Sequence, residues 1–414
     1  MYISEVAAIR LFKILNRDQR NTFIACFLGW ALDAFDFFLL TFVIAPMAHD
    51  FSTSIPKISY AITLTLAMRP AGAFLFGLLG DRFGRRIPLM IDIIFYSVME
   101  LLTAFSPNYM TLLVFRALYG IGMGGEWGLG ASLAMETLPT EARGLFSGLL
   151  QQGYAFGYLL AAVFYGTVFP HFGWRGLFVI GSLPAFLVVY ILARIPESPV
   201  WLRQRSTINF WSNLVLILKR HWLLFFYVIL LMTAFNAMSH GTQDQYQTFL
   251  GEQRGFSVQQ RSTIGIIYAG GAICGGVIFG HWSQKSGRRL AIVAATFCGM
   301  LLIPLWVFSP GLSLLMAGGF AMQFMVQGAW GVVPVHLNEL SPADVRGTFP
   351  GFAYQLGNLF AANTAVIEAR LAYHFRNAAG QADYAKAQAL FALVIFVALI
   401  VIAAIGREER GKEF

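Results

Sequence analysis

The sequence predicts an all-α membrane protein with twelve spanning helices. Three observations carry this. Hydrophobic residues make up 57% of the 414-residue chain and charged residues only 12%, against about 25% charged in soluble globular proteins. Mean hydropathy is +0.64. The basic residues collect in short segments between long apolar runs. A soluble fold would have nowhere to bury this much apolar surface. The 41 glycines agree, since glycine is commoner in membrane helices than in soluble ones. A net charge of +8 invites a nucleic-acid partner, but its scatter through short loops excludes one.

A spanning helix needs roughly 20 mainly apolar residues. Runs that meet this occur at 22–46, 57–80, 87–106, 109–135, 145–169, 174–195, 222–249, 262–283, 290–308, 311–338, 347–373 and 384–406. The stretch before the first is basic and amphipathic, with no cleavable signal pattern. Cys26, Cys274 and Cys298 lie in or beside apolar runs without paired spacing, so they read as small hydrophobes. An even number of spans puts both termini on one side. The segments on that side hold 20 of the 29 lysines and arginines, and those on the other hold seven. The positive-inside rule makes the terminal side cytoplasmic, in a plasma or bacterial inner membrane. Arg69 and Arg116 fall within spans.

The chain also repeats. GLLGDRFGRR (77–86) aligns with GHWSQKSGRR (280–289), and ETLPTEARG (136–144) with ELSPADVRG (339–347), both at an offset of 203. One offset kept across two separate loops implies two six-helix halves, 1–195 and 222–414, joined by a basic linker, 196–221. Parallel repeats of this kind build alternating-access transporters.

Those loops carry a family resemblance. GLLGDRFGRRIPL and RALYGIGMG (116–124) fit the loop 2–3 and helix-4 signatures of the major facilitator superfamily. PESP (196–199) resembles the end of helix 6 in its sugar porters. The resemblance implies the major facilitator fold and a cytoplasmic gate formed by Gly77, Asp81, Arg85 and Arg116.

Polar residues inside the spans point to the site. A charge at the bilayer centre costs about 2.5–3.5 kcal/mol on insertion scales, so each one is a functional candidate. Arg69 lies mid-span, too deep to snorkel. It suits a substrate carboxylate, whose two oxygens its fork can hold, or an acid on span 1 or 4. Asp33 and Asp36 share a face at i, i+3; either could bind a proton or pair with Arg69. Glu126 is a further protonatable candidate. Glu100 reads as structural. On span 7, Asn236, His240, Asp244 and Thr248 recur every four residues, flanked by Ser239 and Gln243. Such a stripe must face protein or water, not lipid; the other reading ends the helix near residue 240. Gln355 and Asn358 share a face of span 11, as substrate donors and acceptors or as glue between helices. Gln151, Gln152, Tyr154, Gln327 and Trp330 are candidate lining residues.

NAMSHGTQDQYQT (236–248) also resembles the helix-7 signature of fungal Jen-type carboxylate transporters, at Asn236, Ser239, His240, Thr242, Gln243, Asp244 and Thr248. LDAFDF (32–37) is similar to helix 1 of the sialate/proton symporter group. The resemblance implies a proton-coupled importer of a small monocarboxylate such as lactate or pyruvate, with sialic acid, another organic acid or a sugar as the alternative. It implies that Arg69, Asn236, His240, Gln243, Gln355 and Asn358 bind substrate. Asp33, Asp36, Glu126, His240 and Asp244 are the candidates for carrying the proton. The expected partners are a carboxylate anion, a proton and the bilayer, with the chain acting as a monomer. No metal-ligand cluster, phosphate loop or nucleophile–base spacing is present, so neither an enzyme nor a cofactor is expected. The repeat argues against a channel.

Overall fold

The computed structural model describes residues 15–139, 146, 148–204, 219–341, 349–376 and 380–409. Helix α1, Arg17–Asp50, starts at a capping box in which Asn16 and Gln19 satisfy each other's backbone N–H. It is followed by α2 (Ile55–Phe83), α3 (Arg86–Ala104) and α4 (Tyr109–Thr137). Next come α5 (Gly153–Thr167), α6 (Phe169–Ile180), a 3-10 turn at Leu183–Phe186, α7 (Leu187–Arg194) and the short α8 (Pro199–Gln204). The second half begins with α9 (Trp222–Gln243), α10 (Tyr246–Thr248) and a π turn at Phe249–Gln253. It continues with α11 (Val258–Ser286), α12 (Arg288–Val307), α13 (Leu312–Trp330) and α14 (Val333–Leu340). α15 (Phe349–Ala361), α16 (Thr364–His374) and α17 (Tyr384–Ile405) complete it.

Twelve spans were expected. Among the described residues, eight helices are long and apolar enough to cross a membrane, and the pair α6 and α7, bent by 42°, makes a ninth. The other three have physical reasons for falling short. α4 is 29 residues long, but Arg116, Glu126 and its glycines lower its hydropathy. α5 has 15 residues, because a turn at Gln152 parts it from the helical residues 148–151. The expected span 347–373 divides into α15 and α16 around residues 362–363.

Within each half the backbones meet at glycine. A Cβ on Gly72 of α2 would stand 1.8 Å from the Ile121 carbonyl oxygen of α4. A Cβ on Gly275 of α11 would stand 1.9 Å from the Phe324 oxygen of α13. Both members of this contact are offset by 203, so the repeat extends from the loops into the packing. Gly77 differs, since a Cβ there meets nothing within 4 Å. Gly72→Ala is therefore expected to lower the unfolding temperature in detergent by several degrees, as overpacking of about 1–3 kcal/mol or more would. Gly77→Ala should leave it unchanged. Equal melting of the two variants would show that the close approach is not obligatory.

The end carrying the basic loops repeats as well. Arg85 pairs with Glu136 at 3.4 Å, and Arg288 makes a fork to both oxygens of Glu339 at 3.0 and 3.1 Å. Glu197 of the PESP stretch accepts from the backbone N–H of Arg85 and Arg86 at the start of α3. Glu408 does the same for Arg288 and Arg289 at the start of α12. Each acid satisfies orphan donors and opposes the positive end of a helix dipole.

The far end is closed between the halves. Ser262 of α11 donates to the Ala162 carbonyl of α5 at 2.7 Å. Gln245 donates to Ser59 of α2 at 2.8 Å, Gln247 to Tyr158 of α5 at 3.2 Å, and Arg370 to Tyr60. A ring column crosses the same boundary. Tyr158 stacks on Tyr268 at 5.0 Å, Tyr268 on Tyr246 at 5.5 Å, and Tyr246 on Trp306 at 5.4 Å.

Candidate functional site

A cavity of about 300 Å³, including its mouth, lies between the halves. Gln151 and Tyr154 line it from the first half; Asn236, Ser239 and His240 of α9, Gln327 and Trp330 of α13, and Tyr354 of α15 line it from the second. Its wall is aromatic. Trp330 and Tyr354 meet edge to face at 5.9 Å, and Tyr154 packs on Trp30 and Phe38 at 5.8 and 4.9 Å. The indole N–H of Trp330 is buried without a partner, so it is a free donor beside the cavity.

Arg69 stands behind this wall, with its guanidinium 5.6 Å from the Tyr354 ring centroid. It is 1% exposed. Its Nε and Nη2 have no hydrogen-bond partner among the described residues. Asp33 and Glu126 act on it electrostatically, yet neither forms an ion pair with it among the described residues. Pro70 follows it inside α2 and cannot donate to the preceding turn. Gly124 brings α4 against the Arg69 backbone, where a Cβ would lie 2.0 Å from the carbonyl oxygen. The helix thus fixes where the cation stands while leaving its donors unused.

Residues 234–250 are all buried, which rules out an outer loop after residue 240. The helix is regular to Gln243, loosens at Asp244 and Gln245, and resumes at Tyr246. His240 Nδ1 lies 3.1 Å from Asp244 Oδ2, and its ring packs on Phe37 of α1 at 5.7 Å. Gln243 does not line the cavity. It donates to Gln323 of α13 at 3.1 Å, and Gln323 donates to Thr242 at 3.0 Å. Gln245, in the loosened turn, and Gln247, beyond it, reach α2 and α5 instead. The expected single stripe is therefore a knot that ties α9 to several neighbours.

Gln355 and Asn358 are buried beside the cavity, and Asn358 donates to Gln355 at 3.3 Å; the residue of their helix that lines the cavity is Tyr354. Gln152 is turned toward α11, where a Cβ on Gly276 would meet its amide. In the first half, Tyr119 donates to Asp33 through both its carbonyl and carboxylate oxygens. Both carboxylate oxygens of Asp36, and both of Glu126, are buried without hydrogen bonds.

Arg116 does not join the gate residues. It forms an ion pair with Glu100 at 2.6 Å, both side chains fully buried, and stacks on Tyr119 at 4.1 Å. It lies two turns from the far-end start of α4, whereas Arg85 sits at the basic-loop end with Glu136. The Asp81 side chain, and Arg143 and Arg346 of the repeated loops, lie outside what is described. Two buried carboxylates escaped the sequence reading: Asp92 on α3 and Glu368 on α16, each without a hydrogen bond. A lone acid inside an apolar run is a sufficient signal for both.

Two helical halves closed around a polar cavity at their interface define a secondary transporter. The chain belongs to the Major Facilitator Superfamily, whose family model matches residues 26–362, and it is a multi-pass membrane protein, not an enzyme. It is 32% identical to a carboxylic acid transporter protein homolog of Saccharomyces cerevisiae, over 95% of this chain and 69% of that one. It is 27% identical to a probable 4-methylmuconolactone transporter of Cupriavidus pinatubonensis, over 97% and 93%. It is 26% identical to the sialic acid transporter NanX of Escherichia coli, over 97% of each. Among solved structures it is similar to a partially occluded, inward-open form of the xylose transporter XylE from E. coli. That likeness has a TM-score of 0.73 at 18% identity, covering 96% of this chain and all of that one; at that identity it shows the fold alone.

Proposed function

We propose that the protein is a proton-coupled symporter that imports a small monocarboxylate of the lactate or pyruvate kind. The observation that carries this is Arg69, a buried guanidinium beside the cavity with unused donors and no ion-pair partner. A buried unpaired charge costs several kcal/mol, and an anionic substrate removes that cost on binding. His240 faces the cavity from the other half, so the anion bridges the halves and favours occlusion. The relatives named for a carboxylic acid and for sialic acid support an acid substrate. The NanX likeness keeps sialic acid as the second reading, and the small cavity favours the shorter acid. The halves are taken as 1–195 and 222–414, with the basic-loop end cytoplasmic.

A proton is needed on energetic grounds. An anion entering against an inside-negative potential is opposed by about 2.3 kcal/mol per charge per 100 mV, and one accompanying proton cancels the charge. The test is uptake of labelled L-lactate into liposomes with an acidic exterior. Accumulation that collapses with the pH gradient, and that short acids inhibit while sugars do not, is expected. Sialic acid transport without lactate transport would select the second reading; sugar transport would end both. His240→Ala is expected to lower acid-driven lactate accumulation about tenfold or more. Wild-type accumulation by this variant would remove His240 from the site.

A further inference from the structure

Glu368 is 0% exposed, and among the described residues neither of its carboxylate oxygens has a hydrogen-bond partner. Nothing in the proposed cycle has used it so far. It faces α9, where a Cβ on Gly241 would stand 3.4 Å from its Oε1. Asp244, one turn on, acts on it electrostatically. Asp244 is fully buried and holds His240, which lines the cavity. A short series of side chains thus leads from substrate to Glu368.

The surroundings of α16 limit what else can compensate this acid. It packs against α2, α9 and α17. α2 carries Lys57, Tyr60 and Arg69; the charge that acts on Glu368 is Asp244 rather than either cation, and Tyr60 is engaged by Arg370. From α17, Lys386 is taken by Asp383 at 3.1 Å, and Tyr384 begins the helix. From α9 come Asp244 and His240. Two carboxylates sharing one histidine in a dry interior leave negative charge uncompensated if both acids ionise, at a cost of several kcal/mol.

We propose that Glu368 carries the coupled proton. This rests on the reading of the protein as a proton-driven carboxylate importer. When substrate occupies the cavity, its carboxylate draws the His240 ring away from Asp244. Asp244 is then less compensated, a charge on Glu368 becomes dearer, and Glu368 keeps its proton. When substrate leaves, His240 returns to Asp244, and Glu368 releases H⁺ to the water that the parted halves admit, which removes the cost of the second charge. The Glu368 O–H bond is the only bond made or broken, and one proton is bound and released per cycle. Anion and proton therefore bind together.

Glu368→Gln copies the protonated acid in shape and charge. In liposomes it should retain lactate exchange at equal pH within about threefold of the wild type. Its net acid-driven uptake should fall at least tenfold, and lactate should no longer alkalinise the exterior. Glu368→Asp should restore coupling with a displaced pH profile. Sialic acid replaces lactate in every arm if it is the acid that the wild type moves. Proton-driven uptake by Glu368→Gln at the wild-type level would overturn the proposal, as would equal loss of exchange and net uptake in a variant that melts normally. Absence of acid-driven transport in the wild type would instead overturn the functional reading itself.

Discussion

Arg69→Ala is expected to reduce acid-driven carboxylate uptake at least a hundredfold in transport efficiency while the protein stays folded. Hydrogen bonds to charged groups are worth about 1.5–3 kcal/mol each, and a guanidinium fork supplies two. Every 1.4 kcal/mol is tenfold, so losing both bonds spans about two to four decades. Arg69 makes no ion pair among the described residues, so its removal breaks none, although Asp33 and Glu126 lose a nearby compensating charge. The unfolding temperature should therefore hold or rise, since a costly buried charge has gone. Arg69→Lys keeps the charge but not the planar fork and should recover only part of the uptake. Uptake by Arg69→Ala at the wild-type rate would refute the binding role. A large fall in stability would mean that the arginine is structural after all.

Glu100→Ala is expected to do the opposite: to destroy the fold before it can affect transport selectively. Glu100 and Arg116 are both fully buried at 2.6 Å. Removing one partner of such a pair costs about 3–5 kcal/mol, because the other charge stays buried and uncompensated. The double variant Glu100→Ala with Arg116→Leu should recover most of that loss, since replacing a whole buried pair by apolar groups is often neutral. Unfolding midpoints in detergent for the two single variants and the double variant measure the coupling. If the double variant is no more stable than Glu100→Ala, the pair is not what holds α3 to α4 at that depth.

The contrast between these two arginines shows how far the sequence could be read. Both stand in apolar runs, and composition alone marks both as exceptional. Their partners decide their roles, and partners come from helices distant in sequence. The helix-4 signature fixes the spacing of Arg116 from its glycines but not its depth, so grouping it with the gate placed it at the wrong end of α4. The cavity was more legible. Gln151, Gln152, Tyr154, Gln327 and Trp330 were candidates, and all but Gln152, which turns toward Gly276, line it. On α9 the periodicity located the polar helix correctly. A helical wheel assumes unbroken geometry, however, and the loosened turn at Asp244 and Gln245 sends the later amides to other neighbours. Gln243 stands on the wheel between Ser239 and Asn236, which both line the cavity, so its hydrogen bond to Gln323, not its angle, takes it to α13. Asp92 and Glu368 form no pattern with their neighbours, and only their solitude in apolar surroundings could have singled them out.

The ring column at the far end has an optical consequence. Its last member, Trp306, is one of nine tryptophans, and the stacked tyrosines link it to Tyr158 in the opposite half. Parting of the halves at that end withdraws Tyr158 and breaks the column. With the other tryptophans replaced by phenylalanine, the emission of Trp306 becomes a dye-free record of how often the protein opens to the outside. Emission that ignores both acid and substrate would mean that the rings stay together throughout the cycle.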